Sequence, residues 1–470
     1  MREKRSGSRT RPAHAASIAI LLFVAPYPPM RAQTAADTRQ IIDRLERVER
    51  QNAELMEEIR QLRTQLSALQ GAASLPAVAA AGAPAATDDA LAIHQARIDE
   101  QAQSKVEGAH KLPLRISGMA LFNGYYNTHS DAGLYAGNAA STGSPAKGGG
   151  SISQSIIGLE FESPITVAGA RVHGNIFADF FGSATGGSAN NGYGQWPMPR
   201  LRTGVLTMDW NSRSITVGVD KPLIAPYTPD SFAQVGVPPL SGAGNLWFWE
   251  PQARFEQRVT LSEKTTLRLQ AALYSTHEAA NYPSGEYASA TASGRPGWEG
   301  RVEIAHRGGD ETGFNLATGF HLSQTRVAAQ TITSDLFSFD GKLRLNRCWN
   351  LTGTIFTGQD LAGIGGSGPG FSIFADRIAT PVHSSGGWLQ ITLAPTERLS
   401  FHVFGGAQNN RRPDLWGDAI QSNASFAGNV YYQLAPNVFA SFEAGRTRTD
   451  WIYTGARART LYDLSLAYLF

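Results

Sequence analysis

The chain has 470 residues, of which 42% are apolar, 10% aromatic and only 17% charged, against roughly 25% charged in an average globular protein. Its 41 Lys and Arg oppose 39 Asp and Glu, a formal charge of +2 that argues against a strongly electrostatic nucleic-acid binder. The single cysteine, Cys348, excludes a disulfide framework, a cysteine-based zinc site and a cysteine-ligated iron–sulfur centre.

The first 14 residues carry Arg2, Lys4, Arg5, Arg9 and Arg11 against Glu3, and the apolar run Ala15–Ala25 and a Pro-rich exit follow. A basic head, a short apolar middle and small residues near Ala32 and Ala36 describe a secretory signal peptide over residues 1–36. The run is 11 residues long, too short for a helical span of about 20. The alternative is a short buried core helix. Losing this segment leaves 35 basic against 38 acidic residues, so the mature chain carries −3.

Residues 37–71 have a heptad period. Leu45, Asn52, Ile59 and Leu66 take position a, while Ile41, Val48, Leu55, Leu62 and Leu69 take position d. That pattern predicts a coiled coil in which Asn52 sets the register and the pairs Arg44/Glu49 and Glu58/Arg63 suit parallel helices. A lone amphipathic helix packed on its own domain is the competing reading. Residues 72–112 form an Ala/Pro/Gly linker and then a weaker helix near 88–107.

From residue 113 to 470 the period becomes 2. Tyr462, Leu464, Leu466, Tyr468 and Phe470 point one way, and Arg459, Asp463, Ser465 and Ala467 the other. Sixteen such segments are predicted, near 114–128, 153–163, 167–182, 198–211, 213–220, 253–261, 265–278, 298–307, 312–326, 332–346, 348–359, 384–395, 398–410, 421–435, 437–450 and 457–470. The fourth alternates poorly and its faces are unassigned.

Short and long connections alternate, with short turns at 163–166, 211–212, 262–264, 308–311, 347, 395–397 and 436. Long loops fall at 129–152, 183–197, 221–252, 279–297, 360–383, 411–420 and 451–456, and only 327–331 breaks the rule. Lipid offers no hydrogen bonds to a sheet edge, so a spanning sheet must close on itself. Short turns on one rim and long loops on the other are the mark of an outer-membrane barrel, with short turns in the periplasm. An even strand count brings both ends to that rim and leaves the coiled coil in the periplasm. The fold class is all-β: an antiparallel transmembrane β-barrel of about 16 strands, preceded by a coiled-coil helix. A soluble sandwich, propeller or β-helix also alternates, but no repeat of about 40–50 residues is visible.

In its terminal aromatic on an alternating strand, its strand count and its signal peptide, the chain resembles the trimeric porins of Gram-negative outer membranes. With its N-terminal coiled coil it is similar in layout to DcaP-like porins. The resemblance implies a homotrimeric diffusion channel for small polar solutes or ions, set among outer-membrane lipid and lipopolysaccharide. Tyr468 and Phe470 would be its C-terminal signal to the barrel assembly machinery. No substrate-binding residue transfers.

The face opposite the lipid stripe carries nine acids and eight bases, a mixed lining that suits small polar solutes with weak charge selectivity. Candidate pore-lining residues are Arg254, Glu256, Arg258, Arg268, Arg301, Glu303, Asp340, Lys342 and Arg344, with Arg254, Arg258 and Arg268 as a possible basic ladder favouring anions. The long loop at 221–252 follows the fifth strand, where general porins narrow the pore, and Lys221 and Asp230 are its candidate constriction charges. Trp247, Trp249, Trp298, Trp349, Trp388, Tyr468 and Phe470 are expected in the interfacial girdles.

Other motifs fail. Residues 363–368 (GIGGSG) match a dinucleotide fingerprint by letters, but Pro369 follows and no βαβ unit surrounds them. The ten histidines are scattered and never take metalloprotease spacing, and neither a metal nor a cofactor is expected. Ser400 and His402 share an inward face, which makes a barrel hydrolase conceivable, yet spacing assembles no triad. The competing functional readings are a plugged barrel tethering the envelope through its rod, and an adhesin with the rod as passenger.

Overall fold

Strict alternation lets one sheet offer hydrocarbon to lipid and polar groups to an interior, and closure removes its edges. The computed structural model describes residues 114–129, 139–140, 145–164, 166–182, 198–275, 291–292, 296–309, 312–327, 330–374 and 378–470. The expected signal peptide, coiled coil, linker and second helix lie outside the described residues. Sixteen antiparallel strands form the wall: β1 (Leu114–Asn127), β2 (Ile156–Glu162), β3 (Arg171–Gly182), β4 (Met198–Asp209), β5 (Arg213–Asp220), β6 (Glu250–Ser262), β7 (Thr265–Tyr274) and β8 (Gly297–Arg307). They continue as β9 (Gly313–Val327), β10 (Gln330–Arg344), β11 (Trp349–Gln359), β12 (His383–Thr396), β13 (Leu399–Asn410), β14 (Ile420–Ala435), β15 (Val438–Trp451) and β16 (Gly455–Leu469).

Each strand pairs with its chain neighbours, and β16 returns to β1 with Leu469 opposite Met119. The barrel is closed. The start of β1 and the end of β16 share the rim with the short connections, such as 210–212, 263–264 and 436–437. In the last of these Asn437 takes φ 64°, a left-handed conformation that asparagine tolerates. The opposite rim carries the long connections, except that β9 turns directly into β10.

The faces follow the period. Leu464 is 64% exposed outward, whereas its neighbour Asp463 is 3% exposed and points inward. Phe337 and Phe339 are exposed outward, and the alternating Ser338 and Asp340 are buried. The poor alternation of β4 has a local cause, a register shift against β3 between Phe177 and Ala178. The expected strand 153–163 is broken. Lys147–Ser151 pairs with the far end of β1, a turn closes at Ile152–Ser155, and β2 begins at Ile156.

The inner wall is not uniformly polar. Leu336, Phe356, Trp388 and Phe404 point into the barrel and are buried. What covers them is the chain itself. Ile224, Ala225 and Leu246 pack with Leu336, Phe356, Leu361 and Ile364, while Leu240 and Ala243 pack with Trp388, Phe404 and Ala427. The girdle expectation is therefore wrong for three tryptophans. Trp388 is 4% exposed and Trp247 is likewise buried inside, and Trp249 stands against inward arginines. Trp298, Trp349, Tyr468 and Phe470 do project outward.

Candidate functional site

Residues 221–249 enter the barrel and cross it. Leu223 N–H donates to Glu299 of β8 at 2.6 Å, and Asp230 N–H donates to Gln390 of β12 at 2.7 Å. Asn429 of β14 donates to Asp230 O and Asn123 of β1 to Phe232 O, both at 2.8 Å. Further on, Asn423 of β14 donates to Gly242 O. Gly244, at φ 100°, lies so close to the wall that an added Cβ would stand 2.2 Å from Gly387 O. A side chain there would push the loop off the wall.

Gln154 is the least expected of the anchors. The break before β2 turns it inward, fully buried, where its amide donates to Ala233 O at 2.6 Å and accepts from Val235 and Gly236 N–H. Only a local departure from strand geometry permits this, so period-2 reasoning misses it. Residues 361–374 brace the loop from above: Trp247 N–H donates to Ile364 O, and Gln408 and Asn410 of β13 hold Ser367.

The wall of β3 to β6 gathers cations. Arg200 makes two bonds to Asp179, at 3.0 and 2.6 Å, and Arg202 reaches the same carboxylate at 3.2 Å. Both also donate to the loop, Arg200 to Gly236 O and Arg202 to Val235 O. Trp249 lies under both guanidiniums, 5.2 and 4.8 Å from its ring centre, and Phe181 under Arg200. Lys221 touches Thr228 at 3.4 Å and has no ion pair among the described residues; burial, with Arg202 adding repulsion, pushes its ammonium pKa down. Arg254 pairs with Asp220 at 3.4 Å. Four cations thus meet Asp179, Asp220 and the inward Glu250. Sequence reasoning missed Arg200 and Arg202 because the shifted register of β4 hides which way they point.

Arg258 and Arg268 do not stand free either. Arg258 binds Asp209, Arg268 binds Glu256 at 2.7 Å and Glu303 at 3.0 Å, and Arg301 binds Glu303 and Asp340, each at 2.7 Å. These side chains form a continuous belt of alternating charge across β4 to β10. The expected ladder of Arg254, Arg258 and Arg268 is instead three arginines, each held by a carboxylate. Lys342 and Arg344 are exposed near the short-turn rim, away from the loop.

Asp230 lies on the far side. Its side chain is 58% exposed and is gripped by Gln390 Nε2 at 2.5 Å. In the closed ring β12 and β4 stand eight strands apart, so Asp230 and the Arg200/Arg202 pair lie on opposite sides of the barrel. His402 Nε2 lies 3.1 Å from Ser400 Oγ, but its Nδ1 is 3.7 Å from Asp230 Oδ2, beyond hydrogen-bond range. The three side chains do not make a connected triad.

No family model and no curated relative matches the chain. Solved structures do. The outer membrane channel DcaP of Acinetobacter baumannii superposes with a TM-score of 0.62 at 14% identity, covering 76% of this chain and 97% of that one. The fold is that of the outer-membrane porins. The anion-selective porin from Comamonas acidovorans has a TM-score of 0.50 at 13% identity, over 76% of this chain and 99% of that one. At these identities the likeness to the porins carries the architecture, and the chemistry has to come from the residues above.

Proposed function

We propose that the protein is an outer-membrane porin, a water-filled, non-enzymatic channel for passive diffusion of small polar solutes and ions. One observation carries the reading: a long loop folds inside a closed barrel and sets charged groups on opposed walls. Lys221, Arg200, Arg202 and Arg254 line one side of the constriction and Asp230 the other, while each arginine of the belt is held by carboxylates. Mixed charge oriented across a pore orders water and passes small dipolar solutes. Arg200, Arg202, Lys221 and Arg254 exceed Asp179, Asp220 and Glu250 by one charge beside the loop, which gives a weak preference for anions, small dicarboxylates among them.

The protein acts as a homotrimer in lipid and lipopolysaccharide, with residues 37–71 as a periplasmic coiled coil supporting the trimer through Ile41, Leu45, Val48, Asn52, Leu55, Ile59, Leu62, Leu66 and Leu69. Tyr468 and Phe470 present the terminal strand to the assembly machinery. Purified protein in planar bilayers is expected to conduct and to close in three equal steps. Liposomes are expected to swell with amino acids and dicarboxylates, and Asp230→Ala to change their relative rates. Well-folded trimers that never conduct would sink the channel reading. They would leave a plugged envelope tether, which the apolar docking of the loop across β10 to β14 favours.

A further inference from the structure

Nearer the short-turn rim than the arginine–carboxylate belt, the inner wall carries a further group of charges. Arg307 of β8 and Lys342 and Arg344 of β10 are all exposed there. Strand parity sets them inward, as it does Glu303 and Asp340 on the same strands. Register places Gly313 of β9 between Arg307 on one side and Arg344 on the other, and Asn315 beside Lys342 two residues further along the strands. The middle position of the first row therefore has no side chain. Arg307 and Arg344 flank a gap two strand spacings wide, about 10 Å. A cavity of about 190 Å³ lies there, with Arg307, Thr312, Gly313, Asn315, Lys342 and Arg344 among its lining. Its turn is braced: Gly308 N–H donates to Thr312 O at 3.0 Å, and Thr312 donates to Gly309 O through N–H at 3.1 Å and Oγ1 at 2.7 Å.

The acids nearest along these strands are already taken. Arg268 and Arg301 occupy the two oxygens of Glu303, and Arg301 alone occupies both oxygens of Asp340. Among the described residues no ion pair and no hydrogen bond engages the side chains of Arg307, Lys342 or Arg344. Three like charges brought to one hollow repel one another, and an anion between them turns that repulsion into attraction. A guanidinium binds phosphate through two parallel N–H bonds, and an ammonium binds it as a point charge. A phosphate monoester carries about −1.5 to −2 at pH 7 and three acceptor oxygens, so it can answer donors from both strands at once. A carboxylate, with one charge and two oxygens, answers fewer of them.

We propose that Arg307, Lys342 and Arg344 form a binding site for a compact tetrahedral oxyanion, inorganic phosphate or the phosphate of a small monoester, at the short-turn mouth of the lumen. Outer-membrane barrels turn that rim to the periplasm, so the site stands at the opposite end from the long loops. It deepens the channel reading by adding an anion station apart from the constriction. Binding is measured in detergent and conduction in bilayers, so either reading can fail without the other.

The test is calorimetric titration of the full chain in neutral detergent with inorganic phosphate at low salt. Saturable binding of about one phosphate per chain is expected, with sulfate competing and acetate competing about ten-fold less well. Arg307→Gln with Arg344→Gln should weaken phosphate about ten-fold or more, whereas Lys221→Gln in the constriction should leave its affinity as it was. The exposed Lys342→Gln is the second variant, with a smaller loss, should the double variant fail to fold. Wild-type protein that binds no phosphate overturns the proposal, and so does a folded double variant that binds it in full. Asp310 and Glu311 lie outside the described residues, and binding gained only in Asp310→Asn with Glu311→Gln would show that these acids neutralise the cations, which also overturns it. Acetate competing as well as sulfate overturns the tetrahedral class. An anionic phosphodiester lipid that displaces phosphate as well as sulfate does would move the site to the membrane surface and overturn its place in the lumen.

Discussion

Two charged regions of the inner wall use the same residue types to different ends. Around Arg301 every guanidinium is closed by carboxylates, and Arg301, Glu303 and Asp340 are all buried. Around Arg202 the cations outnumber their acids, Lys221 has no ion pair among the described residues, and aromatic rings and loop carbonyls fill the gap. The contrast teaches that a count of lining charges says little about a channel. Closure of each charge decides whether it serves the wall or the solute.

The largest effect should come from breaking the closed region. Arg301→Ala strands Asp340 without a partner in the interior and leaves Glu303 only Arg268, at a cost of roughly 3–5 kcal/mol. Urea unfolding in detergent should show it, and an unchanged midpoint would mean that the belt is dispensable. The open region should respond in selectivity rather than stability. Lys221→Gln removes a charge without orphaning a carboxylate, and the anion-to-cation permeability ratio should fall about two- to five-fold, the scale of one unit charge near solvated solute. A reversal potential that does not move in a salt gradient would refute the assignment.

Smaller effects sharpen the comparison. Since burial and Arg202 lower the Lys221 pKa, its ammonium loses its proton at a lower pH than an ordinary lysine. Anion preference should therefore decline as pH rises through that depressed value, and Lys221→Arg should hold it level. Trp249→Leu removes the ring beneath Arg200 and Arg202, worth ~0.5–1 kcal/mol, and should broaden single-channel current noise more than it lowers stability. The smallest response belongs outside the barrel. Asp418 is fully exposed, and its pKa is held down chiefly by the Tyr453 N–H, with the Thr454 N–H helping. Asp418→Asn should speed hydrogen exchange at those two amides and leave conductance as it was.

How much of this was legible beforehand varies by feature and for physical reasons. The stripe through Leu464, Leu466 and Tyr468 is readable because each outward position must satisfy lipid independently of its neighbours. The inward aim of Glu256, Arg301 and Asp340 follows from the same parity. Arg200 and Arg202 were lost to a register shift that parity cannot anticipate. Trp388 and Phe404 violate the polar-inside expectation, since they answer to a loop more than 140 residues away in sequence. Gln154 hides in a turn that breaks a strand.

The sequence by itself determined the barrel: its strand number, the rim of short turns and the lipid face. Those follow from local period and from the hydrogen-bonding demand of hydrocarbon. Only the tertiary structure decided which charges are closed, where residues 221–249 lie and what they cover. Those outcomes depend on groups brought together across the lumen from distant strands, and no local pattern along the chain records that meeting.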